Sequence, residues 1–200
     1  MPAVIDYYYT PISGFAYLGE PRLRALAAEA GATIFYRPVD IARVFAAAET
    51  TPPARQSAAR LSYRREDMAR RAAAAGLPLN PEPAFWPVDP GLAARVIAAA
   101  ALGDADPGVV SFALLKAVWA EDRNLADPQQ VAAVLGAAGV GVDLLDAAGR
   151  PEAAAAVAAN TEAAIAAGVF GSPTYVVAGA RFWGQDRLDD LARALAAGLA

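Results

Sequence analysis

The spacing of apolar positions changes character three times along the chain. Residues Ala3 to Tyr9 are dominated by β-branched and aromatic side chains, as in a strand, and Thr10-Pro11-Ile12 reads as a turn. A helical period follows from Ser13, with Phe15, Leu18, Leu23 and Leu26 on the buried face despite Pro21. Gly31 closes it in the position favoured by a left-handed cap. Thr33 to Val39 alternates again and predicts a second strand, so the chain opens as β-α-β.

Beyond Asp40 the pattern is helical. The spacing predicts helix over Ile41–Ala48, a loop at Thr50-Thr51-Pro52-Pro53, and helix from Ser57 to Ala75. Arg60, Arg64, Arg65, Glu66, Asp67, Arg70 and Arg71 are read on the solvated face of that last helix. Gly76 to Pro83 is punctuated by prolines that exclude helix. Leu92–Leu102, Pro107–Ala120, Pro128–Ala137, Val142–Ala148 and Pro151–Ala167 are five further helices without a sequence repeat.

Strand character returns in the last quarter, Gly168 to Leu191. A turn at Gly171-Ser172 leads to Pro173, which lacks an amide donor and so marks the entry of a strand, Thr174–Val177. A second turn near Gly179 makes a hairpin with Arg181-Phe182-Trp183. Gly184-Gln185-Asp186-Arg187 is read as the start of an amphipathic helix with Leu188, Leu191 and Leu195 on one face. Pattern alone gives an α/β unit with a helical excursion.

Composition narrows the chemistry. The chain has 200 residues, enough for one compact domain or a small domain with an insertion. Much of its 56% hydrophobic content is alanine, which favours helix and buries little area. With 17 basic and 21 acidic residues, the net charge of −4 argues against nucleic acid or a membrane surface as partner and for small molecules. No cysteine means no disulfide exchange by the chain itself. No histidine removes the usual general base and the commonest metal ligand. Asp67, Asp104, Asp106, Asp122 and Asp127 form no metal-ligand pattern, and no metal is expected. The first residues lack the basic and apolar segments of a leader, and no window offers 18 charge-free apolar residues, so a cytoplasmic, soluble protein is expected.

Two polar residues admit two readings each. Ser13 suits a helix N-cap, or a hydroxyl that joins the positive end of the helix in favouring a nearby anion. Asp186 complements the dipole of the last helix, or pairs with a ligand ammonium.

The terminal motifs carry a resemblance. Gly-Val-Phe-Gly-x-Pro-Thr, followed by Phe-Trp-Gly-Gln-Asp-Arg-Leu, is similar to the C-terminal signature of the 2-hydroxychromene-2-carboxylate isomerases. These are relatives of kappa-class glutathione transferases and of DsbA-like thioredoxin-fold proteins. At the other end, Ile-Asp-Tyr-Tyr-Tyr-Thr-Pro-Ile-Ser-Gly-Phe-Ala-Tyr-Leu-Gly resembles the family's first strand and serine turn. The resemblance implies an α/β thioredoxin-like fold of the DsbA and kappa glutathione transferase type, built from residues 1–40 and 168–200. A large all-helical insertion, residues 41–167, divides the two parts.

It further implies a cis bond before Pro173, where an X-Pro bond is otherwise trans by default, with glutathione as cofactor and a homodimeric assembly. Ser13 falls on the serine that hydrogen-bonds the glutathione sulfur and favours thiolate over thiol. In a second frame, which needs a gap, Thr10 takes that place. Ser172 and Pro173 would pair through their backbone with the cysteinyl part, Gln185 and Asp186 would hold the γ-glutamyl end, and Thr50 replaces an asparagine that bonds the tripeptide. Arg60, or Arg64, replaces a lysine for the glycine carboxylate. Thr10, Trp86 and Trp183 are assigned to a pocket for an aromatic acid, and Trp119 to packing. Two departures, Gly14 for the proline after the serine and Ala16 for a second serine, imply a looser turn with one hydroxyl fewer.

The implied activity is glutathione-dependent isomerisation of 2-hydroxychromene-2-carboxylate, a small aromatic carboxylate, to trans-o-hydroxybenzylidenepyruvate in aromatic compound degradation. The alternatives are a kappa-like transferase that conjugates an electrophile and a non-catalytic thioredoxin-fold binding protein.

Overall fold

A computed structural model describes residues 2–200. Strand β1 (Val4–Tyr9) runs into helix α1 (Gly14–Ala30) and strand β2 (Thr33–Pro38), the β-α-β opening read from the period. Seven helices follow: α2 (Ile41–Ala47), α3 (Ala58–Ala75), α4 (Gly91–Leu102), α5 (Pro107–Trp119), α6 (Pro128–Ala137), α7 (Asp143–Ala148) and α8 (Pro151–Ala166). The chain then returns to the sheet with β3 (Thr174–Val177) and β4 (Ala180–Trp183) and ends in α9 (Leu188–Ala196). Between α2 and α3, the proline loop closes into a 3-10 turn at Pro53–Arg55.

The four strands form one sheet in the order β2-β1-β3-β4, with β1 and β2 parallel and β1-β3 and β3-β4 antiparallel. Head and tail of the chain therefore meet at the β1-β3 ladder, where Tyr7 pairs with Tyr175. Alternation along β1 sends Tyr7 and Tyr9 to one face and Tyr8 to the other. Tyr8 packs with Val39, Val44, Val169 and Val176, whereas Tyr7 and Tyr9 belong to a larger cluster that runs from the sheet into α1, α4 and α5.

Inside that larger cluster lies a group the helical pattern does not reveal. Glu20, on α1, is fully buried. Tyr9 Oη donates to Ser111 Oγ at 2.6 Å, and Ser111 Oγ donates to Glu20 Oε2 at 2.8 Å. The Tyr7 ring stacks on Tyr9 at 4.0 Å and lies 5.4 Å from Tyr175. Burial in this tyrosine box disfavours the carboxylate. It raises Glu20 from the ordinary 4.5 to about 8, against the partial opposition of the Ser111 bond, so the side chain is a neutral acid at pH 7.

Helix ends follow the expected chemistry. Ser13 caps α1 and Ser57 caps α3 through their hydroxyls, and Gly31 (φ 62°) and Gly76 (φ 64°) close the same two helices in the left-handed region. The last helix is corrected. Residues Gln185–Arg187 form a 3-10 turn after Gly184 (φ 99°), and α9 begins only at Leu188. Gly19 on α1 explains how that turn is held: a Cβ there would lie 2.7 Å from Gln185 Cβ and 3.1 Å from the Tyr175 hydroxyl. Only glycine lets α1 approach so closely. No helix among the described residues is long and apolar enough to cross a membrane.

Glu20 sets a pH dependence of stability. Its folded pKa lies above its unfolded value, so between about pH 4.5 and 8 the folded chain holds a proton that the unfolded chain has lost, and stability falls as pH rises. With no histidine or cysteine in the chain, little else titrates in that window. Urea denaturation of the wild type should lose up to about 4 kcal/mol from pH 5 to pH 8. Glu20→Gln should flatten the profile, and parallel profiles for the two proteins would contradict the neutral-acid assignment.

Candidate active site

The site is assembled where β1 gives way to α1. The Ser13 amide donates to the Thr10 carbonyl at 3.0 Å, closing the turn, and Ser13 Oγ accepts the Ala16 amide at 3.2 Å as the cap of α1. The same hydroxyl donates to the Ser172 carbonyl at 3.2 Å. Ser172 answers with its own hydroxyl, which accepts the Thr10 amide at 3.1 Å. The Ser172-Pro173 bond is cis, as the resemblance implies, and a second cis bond lies at Trp86-Pro87. These contacts fasten the positive end of α1 to the backbone just before β3.

The turn is gripped from its other side by tryptophans. Trp86 Nε1 and Trp119 Nε1 both donate to the Ile12 carbonyl, at 3.2 and 3.3 Å. Gly14 sits under this arrangement: a Cβ there would collide with the Met68 side chain and lie 3.1 Å from the Trp119 ring. The turn is accordingly filled and tied, and the looser turn expected from Gly14 is not found.

In front of the turn lies a cavity of about 500 Å³ between α3 and residues 170–172, with Phe15 at its base. An adjoining cavity of about 230 Å³ shares Phe15, Asp67, Ser172 and Trp183 with it and is otherwise lined by Gly184 to Arg187. The nitrogen edge of the Trp183 indole lies against Gly171, which has no Cβ to obstruct it, and the ring is 4.8 Å from the Phe170 ring. Both rings remain partly exposed at the rim.

The structure brings most of the anticipated residues to this cleft. Thr50 lines the larger cavity and donates through Oγ1 to the Phe170 carbonyl at 3.0 Å. Arg60 lines the same wall, exposed. Gln185 and Asp186 line the smaller cavity, Asp186 beside Arg187 at 3.3 Å, and Ser172 and Trp183 border both. Ser13, Thr10 and Pro173 are buried one layer deeper, behind Ser172, and the Thr10 Oγ1 has no partner among the described residues.

Trp86 is the exception. It lines a separate cavity of about 260 Å³ on the far side of Arg64, away from Trp183, because its indole is committed to the Ile12 carbonyl. Trp119 is buried and packs as expected.

Arg64 corrects the reading of a solvated basic face on α3. Its guanidinium carbon lies 4.9 Å from the Phe15 ring centroid, 5.5 Å from Trp86 and 5.9 Å from Trp119, and burial pulls its pKa below the ordinary value. The neighbouring Arg65, Arg70 and Arg71 do stay at the surface, in ion pairs with Glu82, Glu66 and Asp67. A signal for the difference was present. Leu61, Arg64, Met68 and Ala72 recur at helical spacing, and Met68 and Ala72 are core residues. Phe15 and Asp67, which line both cavities, and Phe45, Gln56, Tyr63 and Phe170, which line the larger one, were likewise not assigned to the site by sequence reasoning.

Arg60 and Arg64 thus line the cleft, Arg64 against aromatic rings, and the Ser13-capped end of α1 lies one layer behind it, an arrangement whose charge favours an anionic ligand. Among the described residues no group of three or more His, Cys, Asp or Glu could hold a metal ion.

Comparison with known proteins agrees with this architecture. The DSBA-like thioredoxin domain family matches residues 4–196. A 2-hydroxychromene-2-carboxylate isomerase of Sphingobium xenophagum is 31% identical over 197 residues, covering 96% of this chain and 97% of that protein. A solved 2-hydroxychromene-2-carboxylate isomerase superposes with a TM-score of 0.81 at 29% identity, covering 97% of this chain and 95% of the other. The cytosolic disulfide reductase DsbM of Pseudomonas aeruginosa, solved with GSH, gives a TM-score of 0.68 at 19% identity over 98% of each chain, a likeness of fold. The chain belongs to the DsbA-like thioredoxin domain family and, within it, to the 2-hydroxychromene-2-carboxylate isomerases.

Proposed function

We propose that the protein is a glutathione-dependent isomerase that converts 2-hydroxychromene-2-carboxylate to trans-o-hydroxybenzylidenepyruvate. The observation that carries this reading is the Ser13 hydroxyl at the positive end of α1, 3.2 Å from the Ser172 carbonyl at the edge of a ligand-sized cleft. A hydroxyl bonded to a carbonyl can turn its proton to a sulfur arriving at that edge. The hydroxyl and the helix terminus then both favour thiolate over thiol. Glutathione would lie along Ser172, with its γ-glutamyl end toward Gln185 and Asp186 and its glycine end toward Thr50 and Arg60.

The chemistry needs no redox partner. Opening of the hemiketal would leave a cis enone bearing a free phenol, and bound glutathione would supply a thiolate whose reversible addition at the benzylic carbon leaves the double bond single and free to rotate, its departure restoring the alkene as trans and the glutathione unchanged. Ser13 stabilises the anionic sulfur at both ends of this sequence. With no cysteine in the chain, the sulfur must come from the ligand.

Two outcomes check the proposal. Ser13→Ala should lower kcat by about a hundredfold or more and raise the pKa of the bound thiol, read from thiolate absorbance. The lost cap should cost only about 1 kcal/mol of stability. Thr10→Val should leave both quantities near wild type, and the reverse pattern would assign the sulfur contact to Thr10. During turnover free glutathione should stay constant while substrate disappears. Stoichiometric loss of thiol would identify a conjugating transferase, and failure to bind glutathione in calorimetry would exclude both enzymes.

A further inference from the structure

A guanidinium drawn away from water needs an anion or a compensating environment, and Arg64 has found only the second. Its charge faces Phe15, Trp86 and Trp119, and among the described residues it has no carboxylate partner and no hydrogen bond. Three ring faces hold the fork in place, yet each such contact contributes only about 0.5–2 kcal/mol and leaves the donors unfilled. Its surroundings favour an anion arriving from one direction. On the side of the small tryptophan cavity stands Glu82, paired with Arg65 at 3.1 Å. On the side of the large cavity stands Arg60, one turn away, while Asp67 is neutralised by Arg70 and Arg71 at 3.6 and 3.4 Å.

The rings that hold Arg64 also fix the turn that holds Ser13. Trp86 and Trp119 bond the carbonyl of Ile12, the residue before Ser13, and Phe15 follows Ser13 by two positions. The arginine fork and the serine hydroxyl are therefore set at a fixed separation by a shared scaffold. A substrate whose carboxylate and reacting carbon sit a fixed distance apart needs such a ruler.

We infer that Arg64 is the residue that binds the carboxylate of the aromatic acid, entering from the large cavity, and that Arg60 serves the glycine carboxylate of glutathione instead. The assignment rests on the aromatic-acid reading above. A planar carboxylate fits the fork bidentately, which lysine cannot reproduce. The aromatic body of the ligand then lies against Phe15 and toward Phe170 and Trp183 at the rim.

Calorimetry on the full chain without glutathione tests this through the non-reacting analogue chromone-2-carboxylate, with uncharged chromone as its control. Arg64→Met should weaken chromone-2-carboxylate by about ten- to a hundredfold and leave chromone unchanged. Arg64→Lys should recover part of the loss, and Arg60→Met should alter neither ligand more than about twofold. In a parallel titration with glutathione, Arg60→Met should weaken binding and Arg64→Met should not. Near-ultraviolet circular dichroism should show each variant folded. If Arg64→Met proves unfolded, the Arg64→Lys loss of carboxylate selectivity decides alone. Wild-type indifference to chromone-2-carboxylate, equal affinity in Arg64→Met, or a loss confined to glutathione would each overturn the assignment. Carboxylate binding that depends on Arg64 in a protein with no isomerase turnover would keep the assignment and remove the isomerase reading.

Discussion

The hydrogen bond from Ser13 to the Ser172 carbonyl joins two segments that lie 159 residues apart in sequence. One segment is the turn that launches α1, and the other is the approach to a cis-proline at the head of β3. Several candidate binding groups are placed relative to this junction. Thr50 is bonded to Phe170, two residues before Ser172, and Gly184 donates its amide to the Pro173 carbonyl. Arg64 is held by rings whose indoles bond Ile12. The junction is also chemically labile, since a single hydroxyl proton can move from the carbonyl to a ligand without disturbing the cap that Ser13 provides to Ala16. The cap and the functional hydroxyl, two readings that seem to compete in the sequence, are compatible in the fold.

The supports of this junction come from one face of the sheet and from the helical stretch. Tyr7 and Tyr9 project from β1 under α1 and enclose Glu20 as a neutral acid. A charged carboxylate at that depth would lower the stability of α1 itself, so the helix that carries Ser13 is sensitive to alkaline conditions from beneath. Gly19, one residue earlier, lets the 3-10 turn at Gln185–Arg187 rest against the same helix. The two ends of the cleft are thus fixed by one helix, near its start by Ser13 and in its middle by Gly19.

Much of this was legible in the sequence because it rests on short-range rules. The β-α-β opening, the glycine caps at Gly31 and Gly76 and the hairpin beginning at Pro173 follow from period, propensity and turn chemistry. What escaped depends on partners far along the chain. Glu20 looks like a solvated helix residue until Ser111 and the sheet tyrosines enclose it. Arg64 looks like one more charge in a basic run, and only the rings of Phe15, Trp86 and Trp119, from three separate segments, draw it in to a half-buried position. Trp86 was read toward Trp183 on chemical likeness alone, and its indole is instead spent on Ile12. The late start of α9 is local, yet it hinges on the φ of Gly184, which the residue type permits without requiring.

Side-chain placement therefore divides the site into a serine end and an arginine end, and the account stands or falls at the serine end. A crystal structure of the protein with reduced glutathione measures it most directly. The account predicts the sulfur within about 3.5 Å of Ser13 Oγ, beside the backbone of Ser172 and Pro173. Glutathione bound elsewhere, or a Ser13 hydroxyl still committed to Ser172 with the sulfur out of reach, would contradict it.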